Sequence, residues 1–214
     1  MGVTIDEILV GDERAGWEAA GFTVDDDGSC RIGTVRVRLV GRGGGPRILG
    51  WSLRGAPAAR LADGSLDGLP TTASEAPPAL GASHANGATR IDHLVVLSPD
   101  LARTTAALGS IGLEPRGERD TDSYGAPMRQ VFFRLGEVIL ELVGQPDTSG
   151  DGDPGFFGLA ITVADLDAAA QQLGEHLGTI KDAVQDGRRI ATLRHRDLGM
   201  SVATALMSPE PLST

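Results

Sequence analysis

Cys30 is the only cysteine in the 214-residue chain, so no internal disulfide can form, which agrees with a reducing compartment. A lone cysteine without a paired base is also a poor candidate nucleophile. Basic residues are scarce: 19 Lys and Arg stand against 29 Asp and Glu, the formal net charge is -10, and no cationic run interrupts the acidic background. That balance offers no footprint for a phosphate backbone, and nucleic acid is not expected as a partner. No apolar run approaches the roughly 20 residues of a membrane span. The opening MGVTIDEILV has neither a basic n-region nor a long apolar h-region. A cytoplasmic protein is expected. Aromatics make up only 4 %, while 30 Gly and 12 Pro point to a core of Val, Leu, Ile and Ala joined by tight turns. The length allows one large domain or two small ones.

What is present is a repeat, and a repeat decides the fold before any single element does. Residues 91–97, IDHLVVL, read as a strand by their β-branched content. Ser98 then caps a helix with Pro99 at its first position and an apolar stripe of Leu101, Leu108 and Ile111. After a polar segment with Tyr124-Gly125, RQVFFRLGEVILELVG reads as two strands joined at Leu135-Gly136. The order is βαβββ. A second copy runs from FFGLAITV, through a helix capped by Asp165, to strands ending in RHRDLGMSVATAL. Aligning Leu198-Gly199 on Leu135-Gly136 superposes SVATAL on VILELV without a gap. A third, truncated copy opens the chain, with IDEILVG against IDHLVVL and RIGTVRVRLVG against RLGEVILELVG. PRILGWSLRG resembles the first strand of one more partial copy. The predicted class is α+β, built from repeated βαβββ modules that form a curved mixed-sheet cup with helices outside. The predicted division is a truncated module over 1–55, a linker or loose loop rich in Ala, Pro, Gly and Ser over 56–89, and a two-module domain over 90–207.

Paired βαβββ modules that open on xDHxxxxxxDL and carry a late glutamate in the fourth strand resemble the glyoxalase, bleomycin-resistance and extradiol-dioxygenase superfamily, also called vicinal oxygen chelate. The hairpin RLGEVILELVG and the junction GLAITVADLDA resemble actinobacterial glyoxalase-like proteins most closely. The resemblance implies an open cup whose metal ligands come from the first and fourth strands of each module. His93 and Glu141 occupy two such positions in the middle copy. The matching positions of the last copy are Gly158 and Thr204, which supply neither imidazole nor carboxylate. In the first copy they are Glu7 and Arg38. A homodimer is an arrangement open to such a domain.

Strand alternation gives a view independent of the resemblance, because residues two apart share a face and so do directly paired residues. With Leu135-Gly136 as the turn, Gln130 pairs with Glu141 and Phe132 with Ile139 on the cup side. Val131, Phe133, Val138, Leu140 and Leu142 then form an apolar face for a helix. Transferring the register to the last copy places His195 at the position of Phe132, beside Val202 and Thr204. Candidate catalytic residues are therefore Glu141 and His195, candidate metal ligands His93 and Glu141, and candidate ligand contacts Tyr124, Arg129, Gln130, Phe132, Ile139, Val202 and Thr204.

Each has a plainer alternative. His93 and Glu141 also fit a hydrogen-bonded pair lining a ligand pocket, since a catalytic divalent ion takes three protein ligands as a rule. His195 fits a turn residue beside Asp197-Leu198-Gly199, and Tyr124-Gly125 fits turn chemistry. Arg36 and Arg38 fit cross-strand pairing with Glu7 as well as an anion site. Asp25, Asp26 and Asp27 lack the alternating spacing of a calcium loop. GRGGGP at 41–46 lacks the lysine and helix of a phosphate loop, and no serine-nucleophile motif is present. Two functions follow. One is a small-molecule-binding glyoxalase-like protein without a complete catalytic metal site. The other is a metal-dependent lyase, isomerase or dioxygenase using His93 and Glu141; in the first reading any divalent ion is weakly held.

Overall fold

The computed structural model describes residues 2–45, 47–122 and 125–211. It is a mixed α+β fold of two curved sheets. The six-stranded sheet comes from the N-terminal half: β1 (Thr4–Val10), β2 (Ser29–Ile32), β3 (Val35–Leu39), β4 (Ile48–Arg54), β5 (Ser65–Leu66) and β6 (Leu69–Ser74), in the order β2-β3-β1-β4-β6-β5. The helix α1 (Arg14–Ala19) lies between its first two strands. The eight-stranded sheet comprises β7 (Ala88–Leu97), β8 (Pro115–Thr121), β9 (Met128–Leu135), β10 (Val138–Gly144), β11 (Gly155–Val163), β12 (Lys181–Asp182), β13 (Arg189–Thr192) and β14 (Ala203–Met207). Their order is β12-β13-β14-β11-β7-β10-β9-β8, with α2 (Leu101–Ser110) and α3 (Leu166–Leu173) as the crossovers.

One rule generates both sheets. In each module the first strand lies parallel to the last, as in β1·β3, β4·β6, β7·β10 and β11·β14. The first strands of neighbouring modules then pair antiparallel, β1 with β4 and β7 with β11. The N-terminal half is thus itself a reduced pair of modules. The stretch 56–89, expected as a linker or loose loop, holds β5 and β6 together with a 3-10 turn at Ala58–Arg60. Its alternation escapes notice because the inward positions of β6 are Leu69 and Thr71, and a threonine does not register as apolar. The Trp51 indole donates to Thr71 Oγ1 at 2.7 Å, which satisfies that buried hydroxyl.

The helix caps follow local chemistry. Asp165 caps α3 as expected, accepting from the backbone N–H groups of Asp167 and Ala168. The cap of α2 is Asp100 and not Ser98, because the Ser98 N–H is still engaged by the sheet, donating to Val143 O at 2.8 Å. Leu101, Thr104 and Leu108 form the buried stripe of α2. The module led by β4 has no full helix, and Trp51 packs against Phe156 of the other half instead, with ring centroids 5.4 Å apart. Apolar residues of both halves form one contiguous core from Val3 to Leu206.

Residues 75–87 run along the edge of the N-terminal sheet. Ala79 N–H donates to Thr34 O and Ala82 N–H to Arg31 O. His84 fastens the segment: its Nδ1 accepts from Thr23 N–H at 3.0 Å, and its Nε2 lies 3.1 Å from Arg31 O. That pair of contacts requires the neutral imidazole with the proton on Nε2. Burial lowers the His84 pKa, only partly opposed by the Arg31 carbonyl. A depressed folded-state value means that the stability held by the neutral ring is complete above about pH 6.5 and is lost as pH falls below it. His84→Gln should flatten the stability-versus-pH curve between pH 7 and 5, measured by urea unfolding at fixed pH steps. An unchanged slope would contradict the assignment.

Candidate functional site

The site is built on β7, which pairs with β10 on one side and β11 on the other. His93 stands opposite Ile139 and Ala160, and Val95 stands opposite Glu141 and Gly158. Across the next ladders Phe132 faces Glu141, Gln130 faces Val143 and Arg119 faces Gln130. These residues share one side of the sheet. Leu94, Leu140, Leu142, Val131 and Phe133 take the other, in the core with Leu101 and Leu108 of α2. The hairpin pairs Val138 with Leu135, so its turn is Gly136-Glu137 and the pairing is shifted by two residues from the expected one. An even shift leaves every face unchanged.

A β-bulge between Ile91 and His93 gives Asp92 its place beside the histidine. Asp92 is 3 % exposed and accepts from His93 Nδ1 at 2.7 Å, Thr162 Oγ1 at 2.9 Å, Arg90 Nη2 at 2.9 Å and Arg188 Nη1 at 3.0 Å. Burial pushes its carboxyl up, but the hydrogen bonds and charges of His93, Arg90 and Thr162 prevail and hold it well below the usual carboxylate range. Arg188 is itself buried and spends its remaining donors on Ser208 O and Thr162 Oγ1. The effect on His93 is specific. Its Nδ1–H is committed to Asp92, and Nε2 is left for the cup.

On the facing strand, Gln130 Nε2 donates to Glu141 Oε1, and Gln130 Oε1 accepts from Arg119 Nε at 2.9 Å and from Arg119 Nη2. The Arg119 guanidinium lies over the Phe132 ring, 5.9 Å from its centroid. Burial raises the Glu141 pKa, opposed by His93, the Gln130 hydrogen bond and Arg119. Among the described residues no hydrogen bond or ion pair joins His93 to Glu141. His93 Nε2 and Glu141 Oε2 therefore both remain available to a bound atom.

The last module departs from the expected alignment. The N-caps Asp100 and Asp165 correspond, so Gly158 stands for His93 and Ala160 for Val95. Ala160 pairs with Ala205, which makes Ala205 the counterpart of Glu141. Thr204 is one residue out of register. It stands opposite Leu159 in the core and donates to Val202 O at 3.0 Å. Val202 is likewise buried in the core, 1 % exposed, and not on the cup wall. The cause is the loop from Leu193 to Val202, which replaces the tight turn expected at Leu198-Gly199. Thr192, opposite Ala205, takes the place of Phe132. His195 lies in that loop, half-buried, with Nδ1 3.3 Å from Leu193 O. Arg129 projects to the other side of β9 from Gln130 and pairs with Asp120 at 2.7 Å. Tyr124 lies outside the described residues.

In the first module Arg38 Nε pairs with Glu7 at 2.8 Å and Arg36 with Asp6 at 2.6 Å, so the charges there are internally matched. A recess of about 170 Å³ lies on that face, lined by Glu7, Leu9, Ser52, Pro70 and Thr72. A second, more open cleft of about 380 Å³ lies beside His84. Neither is lined by His93 or Glu141. Asp92 and Arg119 are the two site residues that sequence reasoning did not find. Strict alternation sends the Asp before His93 to the helix-covered side with Leu94, away from the histidine, and Arg119 sits in a segment with no apolar periodicity.

The architecture is that of paired βαβββ cups. Residues 92–192 match the Glyoxalase/Bleomycin resistance protein/Dioxygenase superfamily. The whole chain is similar in fold to a mutant of 4-hydroxymandelate synthase from Streptomyces coelicolor, with 15 % identity, 100 % of this chain and 94 % of that chain covered, and a TM-score of 0.66. BphC, a halotolerant catechol dioxygenase, shares 11 % identity over 97 % of this chain and 86 % of its own, with a TM-score of 0.59. Methylmalonyl-CoA epimerase from Mycobacterium tuberculosis covers 62 % of this chain and 94 % of its own at 23 % identity and a TM-score of 0.48. No curated protein matches the chain.

Two measurements test the site. Asp92→Asn leaves Arg188 buried with a weakened partner, and urea unfolding should show a loss of about 3–5 kcal/mol, the usual result of breaking a buried ion pair. A loss of only a few tenths would mean that the network is not formed. For Glu141 the sign is opposite: a raised folded-state pKa means that stability is lost as pH rises through it. Glu141→Gln should therefore be more stable than the parent at pH 7–8, with the gain vanishing in acid below about pH 4.5.

Proposed function

We propose that the C-terminal cup binds a small organic molecule on the wall formed by His93, Gln130, Phe132, Ile139 and Glu141, without a complete catalytic metal centre. The observation that carries this is the asymmetry of the two modules. The positions that face the site from β11 and β14 are Gly158, Ala160, Ala203 and Ala205, which leave room and donate nothing. Gly158 is closed to any larger residue as well, since a Cβ there would lie 2.3 Å from Ala203 O. The superfamily implies a divalent ion, and the residues present fit it only in part: one imidazole and one carboxylate, against the three protein ligands a catalytic ion takes as a rule. Among the described residues no group of three or more His, Cys, Asp and Glu converges.

A second reading, a metal-dependent lyase, isomerase or dioxygenase, is favoured by one observation. Asp92 holds His93 Nδ1 as outer-shell carboxylates hold metal-bound imidazoles.

Metal analysis separates the two. Protein incubated with zinc or manganese and then dialysed should retain far less than one equivalent, and fragments that bind the wild type should lose about tenfold in affinity in Glu141→Ala, roughly 1.4 kcal/mol. Stoichiometric metal that survives dialysis and disappears in both His93→Ala and Glu141→Ala would replace the binding reading with the enzymatic one.

A further inference from the structure

Arg119 is unlike the other arginines of the molecule. Among the described residues the remaining arginines either meet a carboxylate within 4.0 Å, as Arg36, Arg38, Arg54, Arg103 and Arg188 do, or lie exposed. Arg119 is half-buried and meets none. Its Nε and Nη2 donate to a neutral amide oxygen, that of Gln130, and among the described residues no protein acceptor takes Nη1. It is fixed on the cup face by the Arg119-Gln130 pairing of β8 and β9, with Phe132 beneath it.

A partly desolvated cation with no carboxylate in direct contact is costly, and an arginine fork is built to take one. The Gln130 side chain fixes the spacing, because it touches Arg119 through its oxygen and Glu141 through its nitrogen. Phe132 and Ile139 supply an apolar surface between the two polar ends, and the Gly158, Ala160, Ala203 and Ala205 side leaves space opposite.

We infer that the molecule bound in this cup is a small organic carboxylate, its anionic group on Arg119, its apolar body on Phe132 and Ile139, and a second polar group between His93 Nε2 and Glu141 Oε2. This rests on the reading that the cup takes a small molecule at the His93-Glu141 wall, and it adds the charge and polarity of that molecule.

The test uses matched probes that differ only in charge: benzoate against benzamide, and 3-phenylpropionate against 3-phenylpropionamide, titrated into the full chain and followed by protein-observed NMR. Carboxylates should bind at least tenfold more tightly than their amides. Arg119→Met should abolish that preference, and Arg119→Lys, which keeps the charge but not the fork, should retain part of it. Equal binding of acid and amide, or a preference that survives Arg119→Met, overturns the anion assignment and leaves the cup in place as a site for neutral molecules. Failure of all four probes to perturb the wall around Glu141 overturns the carboxylate assignment and the cup reading together. Arg119 lies on an edge strand, and should the Met variant fail to fold, a full carboxylate preference in Arg119→Lys joined to salt-independence from 50 to 500 mM overturns the proposal by itself.

Discussion

The carboxylate of Asp92 sits at the centre of the eight-stranded sheet, at the bulge where the first strands of two modules meet, and four donors from three places in the chain converge on it. An ionised group at 3 % exposure survives only when its hydration is replaced in full, and here Arg188, Arg90, Thr162 and His93 do so. Arg188 in turn ties the last strand through Ser208 O. The same device recurs in the other sheet, where Asp6 follows Ile5 at a corresponding bulge and is met by Arg36, Arg54 and Ser74. What differs is the next residue along the strand. Glu7 is spent on Arg38, whereas His93 receives its orientation from the buried Asp and keeps a nitrogen for the cup.

The features that follow from period-two alternation were legible in the sequence. The two faces of the β9-β10 hairpin, the helix crossovers and the sharing of one side by His93, Gln130 and Glu141 need only side-chain polarity and a tight turn. An error of two residues in pairing did no harm there. The last module shows where this reasoning stops. SVATAL superposes on VILELV as text, yet the loop after Leu193 is longer than a tight turn and shifts β14 by one, which carries Thr204 into the core and puts Ala205 on the cup. Loop length leaves no mark on alternation. Asp92 was illegible for a related reason, since a bulge suspends the rule that neighbours point apart. Strands β5 and β6 are too short and too polar to announce themselves.

The retained and the missing residues of the site are explained together by backbone spacing. On the β7-β10 side the ladder carries full side chains, and His93, Glu141 and Gln130 fit with their partners satisfied. On the β11-β14 side the Gly158 backbone approaches Ala203 O so closely that no side chain is accommodated. The lack of a side chain at position 158 is therefore a packing property, held by the strands themselves.

Trp51, lying on Phe156 where a module would ordinarily place its own helix, has a consequence for how the molecule comes apart. The two sheets do not each own a finished hydrophobic interior, because one half supplies the lid for the other. Asp12, fully buried in the N-terminal half, accepts the N–H of Ser201 from the far end of the chain, and Arg42 reaches Gly199 O. Fragments cut between residues 75 and 87 would each expose a face designed to be covered. The protein is bound to melt as a single cooperative unit, and a recombination event that exchanged one half would have to bring along the matching contact surface.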